Sequence, residues 1–170
     1  MDKEIIKEKM HELEKLLNYN FKSIDFLSDA MCSQKLKNTD ENRKNHTEYS
    51  NESLSFLGDT IIKFLIANHL YGDGKNKRKG SMSIEKSNLE KNKTFHKIMT
   101  EENLISFAYN EKHFYKTDLP KHEQVVSKNH DPYIEAIAAS IYKDGGFENV
   151  TIWFENWLLP RLFKYCDNEK

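Results

Sequence analysis

The feature that most limits this fold is the run over residues 51–70, where Leu54, Phe56, Leu57, Ile61, Ile62, Phe64, Leu65, Ile66 and Leu70 are apolar. A helix covered on one side needs only about three or four apolar residues in every two turns. This run has more, spread around the helix. It must be covered on several sides, by its own chain or by its own chain and a partner together.

Apolar residues recur at helical spacing elsewhere. Ile5, Ile6, Met10, Leu13, Leu16 and Leu17 predict an amphipathic helix over residues 3–18, and Ile24, Phe26, Leu27 and Ala30 a second over 23–31. Tyr71-Gly72-Asp73-Gly74 reads as a glycine stop to the central helix. Residues 81–100 read as one polar amphipathic helix carrying Met82, Leu89, Phe95, Ile98 and Met99, followed by a short apolar turn over 104–109. Asp131-Pro132 has the form of an N-cap with proline at the first helical position. It opens a helix through Ile134, Ile137 and Ile141 that Gly145-Gly146 ends, and residues 153–165 supply a last helix. Trp153 and Trp157, four apart on it, read as core or interface anchors. Strand alternation is missing, so the predicted fold class is all-α, with one domain over residues 1–170 and a variable surface loop at 34–50. Residues 110–130 read as polar and irregular.

Composition narrows the function. No stretch reaches the roughly 18 apolar residues of a membrane span, and Met1-Asp2-Lys3-Glu4 does not open a signal peptide. Cys32 and Cys166 lack metal-ligand spacing, and the seven histidines show no paired spacing on a helix face. These features predict a soluble protein of a reducing interior, cytoplasm or nucleus, with no membrane contact. A net charge of −1 gives no global attraction to nucleic acid, so any such contact must be local. The densest basic run is Lys75-Asn76-Lys77-Arg78-Lys79, which is either a phosphate-contacting patch or a solvated loop tip.

The segment Asn51-Glu52-Ser53-Leu54-Ser55-Phe56-Leu57-Gly58-Asp59 resembles the ribonuclease III signature NERLEFLGD, with two substitutions. Leu13-Glu14-Lys15-Leu16-Leu17-Asn18-Tyr19-Asn20-Phe21 is similar to that family's opening LEKLLGYxF. Gly80-Ser81-Met82-Ser83 and Asn92-Lys93-Thr94-Phe95 look like its GxLS and NKTL. Glu135-Ala136, Tyr142-Lys143-Asp144-Gly145-Gly146-Phe147-Glu148 and Leu159-Pro160 fall where it has EA, YLDGGFE and LxP. The matches come in order and cover residues 13–162. They imply a dimeric helical endonuclease domain that lays double-stranded RNA in a valley between two subunits and cuts it with magnesium, or manganese in its place. The resemblance places no separate double-stranded-RNA-binding domain within these 170 residues, so a protein partner is one source of extra RNA binding.

Hydrolysing a phosphodiester needs an activated water and positive charge at the phosphate, which cations held by converging carboxylates supply. The resemblance assigns Asp59 and Glu135 as metal ligands and Glu52 as an acidic residue beside the site. Ser55 stands where the family has a second glutamate, and Pro132 where it has an aspartate. Adjacent Asp131 is either a displaced metal ligand or only a helix cap. Lys128 stands where the family often has a lysine near the cleavage site, and is otherwise a solvated lysine. Phe56 stands where an aromatic residue enters a socket on the other subunit, which implies a dimer contact; as a core residue it is equally regular. Two functions follow: a double-stranded-RNA endoribonuclease with an atypical metal site, or a catalytically degenerate relative that binds RNA or serves as a structural subunit.

Overall fold

The computed structural model describes residues 2–32, 51–73, 78–110, 113–116 and 132–166. Helix α1, Lys3–Leu17, opens on Asp2, whose carboxylate accepts a hydrogen bond from the Glu4 N–H at 3.0 Å. It stops at Asn18, which sits in the left-handed region at φ 52°. Its inner face buries Met10, Leu13 and Leu17. The carbonyls of Leu16 and Leu17, which have no acceptor role left inside the helix, take the indole N–H groups of Trp157 and Trp153 at 2.7 and 3.1 Å. These two tryptophans stack at 5.2 Å, so they are core anchors that tie the chain's beginning to its end.

Helix α2, Asp25–Met31, packs on the long helix α6, Tyr133–Trp153. The turn leading into α2 is held from far along the chain. Asp144 accepts hydrogen bonds from the Lys22 and Ser23 N–H groups at 3.0 and 2.9 Å and from the Tyr19 hydroxyl at 2.9 Å.

Helix α3, Glu52–Asp73, makes its most extensive packing with α6. Ile62, Leu65, Ile66 and Leu70 face the core, while Phe56, Phe64 and Tyr71 stand in solvent. The apolar excess of this segment is thus divided between a buried side and an exposed one. In α6 every residue from 133 to 141 is buried. At Asn51, just before α3, a fully enclosed side-chain amide donates to the Ala30 carbonyl of α2 at 3.2 Å.

Four expectations about element boundaries are corrected. Helix α3 runs on through Gly72 to Asp73, because an exposed glycine with room around it costs a helix only about 1 kcal/mol. The single helix expected over 81–100 is two, α4 at Lys79–Leu89 and α5 at Asn92–Glu101, with Lys91 extended between them. The bend lets Leu89 and the Phe95, Ile98 and Met99 face both reach the core. Gly145-Gly146 does not end the helix; it kinks it at Gly146 (φ 81°, ψ −178°), and helical turns resume at once through a π-type turn at Phe154–Leu158 into α7, Leu159–Tyr165. Pro132 precedes the first helical residue of α6 rather than occupying it.

Among the described residues there is no strand, only isolated bridges from Tyr109 to Cys32 and Phe114, next to a 3-10 turn at Ile105–Phe107. No described helix is long and apolar enough to cross a membrane. The loop expected at 34–50 and most of 110–130 lie outside the described residues.

Candidate active site

The two longest helices touch backbone to backbone. A Cβ added at Gly58 of α3 would lie 1.7 Å from the Glu135 carbonyl oxygen of α6, so only glycine permits this crossing. Asp59 follows directly on α3, and Glu135, 7% exposed, is the acidic residue of α6 at the same crossing. The glycine therefore brings into contact two helices whose acidic residues, Asp59 and Glu135, are 76 positions apart in the chain.

A cation already stands beside one of them. Lys63, one turn beyond Asp59, donates from its ammonium to Asp59 Oδ2 at 2.8 Å, with both side chains a little under half exposed. That hydrogen bond holds Lys63 above the usual lysine range. The negative charges of Asp59, Glu90 and Glu135 add to it, while partial burial works the other way. Glu90, at the C-terminal cap of α4, also holds Lys86 in an ion pair. One ammonium thus feels acidic groups from α3, α6 and the end of α4.

The remaining expected site residues fall unevenly. Glu52 is exposed in the first turn of α3, where a carboxylate is favoured by the helix dipole. Ser55 donates its hydroxyl to the Glu52 carbonyl at 2.8 Å, so its proton is bound to its own helix. Phe56 is 80% exposed. Arg78 and Lys79 are exposed where α4 begins. Asp131, Lys75, Lys77 and Lys128 lie outside the described residues. Among the described residues no three His, Cys, Asp or Glu side chains are grouped as a metal-ligand set.

Reading the sequence did not single out Lys63, Glu90 or Asp144 as important. The spacing of Asp59 and Lys63 carried a signal, since residues four apart on a helix are neighbours. Glu90 carried none, because its approach depends on how α4 packs against α3. Asp144 lies within the segment that resembles YLDGGFE, but its role shows only once the turn it clamps is folded beside it.

An all-helical frame whose two longest helices cross at a glycine flanked by carboxylates defines the class. The model of the ribonuclease-III-like family matches residues 24–162, and the chain belongs to that family. It is 28% identical over 156 residues to ribonuclease 3 of Hahella chejuensis, covering 92% of this chain and 63% of that protein. It is likewise 28% identical over 135 residues to ribonuclease 3 of Borreliella burgdorferi, covering 79% of this chain and 52% of the relative. The chain therefore spans less than two thirds of the length of these relatives. Among solved structures, the nuclease domain of ribonuclease III from Campylobacter jejuni superposes with a TM-score of 0.68 at 24% identity, covering 93% of this chain and 96% of that one; a region of that domain involved in dimer formation is structurally flexible.

Proposed function

We propose that this chain is the nuclease domain of an endoribonuclease that cuts double-stranded RNA with a divalent cation, magnesium or manganese, held by Asp59 and Glu135. The supporting observation is the Gly58 crossing, which packs the helices bearing those two acidic residues together, with Lys63 feeling the charge of both. The donor set suits one hard cation better than two. Two carboxylates offer −2, Ser55 is neutral, and Pro132 has no ligand atom. A cation bound there would supply positive charge to the phosphate and a more acidic water.

The chain's own groups do the rest in this reading. Asp59 and Glu135 hold the ion, Glu52 lies near it at the exposed end of α3, and Asp131 is the candidate third ligand. Arg78 and Lys79, with Lys75, Lys77 and Lys128, carry the phosphate contacts. Phe56 mediates a homodimer, and a protein partner adding RNA affinity fits so small a basic patch. The alternative reading, a non-catalytic relative that binds RNA or a protein, is favoured by the inward-bonded Ser55 and by Lys63 in its ion pair with Asp59.

A single-turnover assay on long duplex RNA over a magnesium and manganese titration separates the two. Cleavage that needs elevated metal and disappears in both Asp59→Ala and Glu135→Ala supports the enzyme. Cleavage only by the double variant Ser55→Glu with Pro132→Asp supports the non-catalytic relative. Cleavage surviving Asp59→Ala means the active site lies elsewhere.

A further inference from the structure

We infer that Lys63 is a tethered counter-cation that pairs with Asp59 and competes with a divalent ion for that carboxylate. The inference rests on the reading that Asp59 and Glu135 are metal ligands, and adds a residue that regulates their occupancy.

The geometry carries it. Lys63 and Asp59 lie one turn apart on the uninterrupted helix α3, and the ammonium sits 2.8 Å from Oδ2. No loop has to close to form this pair, so it is available whenever α3 is folded. Exposed pairs of this kind add little to stability, so Lys63 is not needed to hold the helix. Its effect falls on the charge count instead. Asp59 and Glu135 together carry −2, which one divalent ion would neutralise, and Lys63 cancels half of it in advance. Glu90 adds negative charge nearby, but Lys86 already engages it. An entering ion must therefore either displace the ammonium from Asp59 or bind beside a like charge. Like charges held this close repel, and more strongly at a partly covered site than in bulk water.

The test is calorimetric titration of manganese into the folded protein at fixed neutral pH, without RNA. Lys63→Met and Lys63→Gln remove the charge at a side chain close to half exposed, and Lys63→Arg keeps it. Met and Gln variants should bind manganese on the order of tenfold more tightly than the unmodified chain, with Arg close to it. Adding Asp59→Ala to Lys63→Met should abolish the gain. Equal affinity in all four single chains would overturn the competition while leaving the ligands in place. A gain in Lys63→Met that survives Asp59→Ala overturns it too, since the competed ligand would then not be Asp59. Absence of binding in every chain, Lys63→Met included, would remove the ligand reading and this inference with it.

Discussion

Asp29 shows how one partly buried group makes stability depend on pH. It lines a cleft of about 370 Å³ with Lys3, Lys7 and Tyr109. Burial first, and the nearby charge of Asp25 second, push its carboxyl up from 3.8 to about 6. A raised carboxylate favours the folded state while protonated. Its contribution is complete below about pH 4 and is lost as the pH rises through 6. Asp29→Asn should therefore stabilise the protein by about 1–2 kcal/mol at pH 7, discounting the shift for partial solvent access, and have no effect at pH 3.5. Urea denaturation at the two pH values checks this, and an equal effect at both would assign it to packing. Asp144 is the second residue with reach beyond its own helix. Its three acceptor bonds are charge-assisted, so Asp144→Ala should cost roughly 2–4 kcal/mol in the same assay, through loss of the turn into α2.

Among the elements, the crossing of α3 and α6 tolerates least. Gly58→Ala puts a methyl group into the Glu135 backbone rather than against a side chain that can move. Destabilisation above about 4 kcal/mol, or failure to fold, is expected by thermal denaturation, since separating the helices also opens the core between them. The neighbouring glycines of α6 differ in kind. Gly145 leaves space for the Tyr19 hydroxyl and the Asn149 amide, whereas Gly146 has open space but a backbone that L residues rarely adopt. Gly146→Ala should cost about 1–3 kcal/mol from strain alone.

For the molecule as a whole, the unresolved demand of α3 is what covers its outer side. Phe56 is 80% exposed, and Phe64, itself exposed, meets Phe147 edge to face at 5.8 Å. Large apolar side chains exposed together mark an association surface more often than scattered single ones do. Phe56→Glu should convert a dimer to soluble monomers in light scattering at tens of micromolar. If the unmodified chain is itself monomeric there, Phe56 does not mediate a dimer. The basic run acts over a longer range. Replacing Lys75, Lys77, Arg78 and Lys79 with Ala should weaken duplex binding and flatten its salt dependence by up to about 0.9 log units for each phosphate no longer neutralised, on the B-DNA scale. An unchanged slope assigns the run to solvent.

The helices and the buried faces of α1 and α6 were legible in the chain alone, because they depend on apolar residues three and four apart; the caps at Asp2 and Asn18 were not singled out, and the glycines of α3 and α6 read as stops where the helix in fact continues or kinks. The carboxylates Asp59 and Glu135 were legible as site candidates through the resemblance around them. The break at Lys91, the continuation of α3 through Gly72 and the kinked rather than ended α6 were not, since each balances a small local preference against apolar area buried elsewhere. Lys63 and Glu90 follow the same rule. Their side chains are ordinary surface charges in sequence, and they become part of one electrostatic group only because a backbone contact at Gly58 sets α3 on α6 and the packing of α4 brings Glu90 alongside. Periodicity is a property of neighbours in the chain, whereas the field at a site is set by the angles and distances at which helices meet.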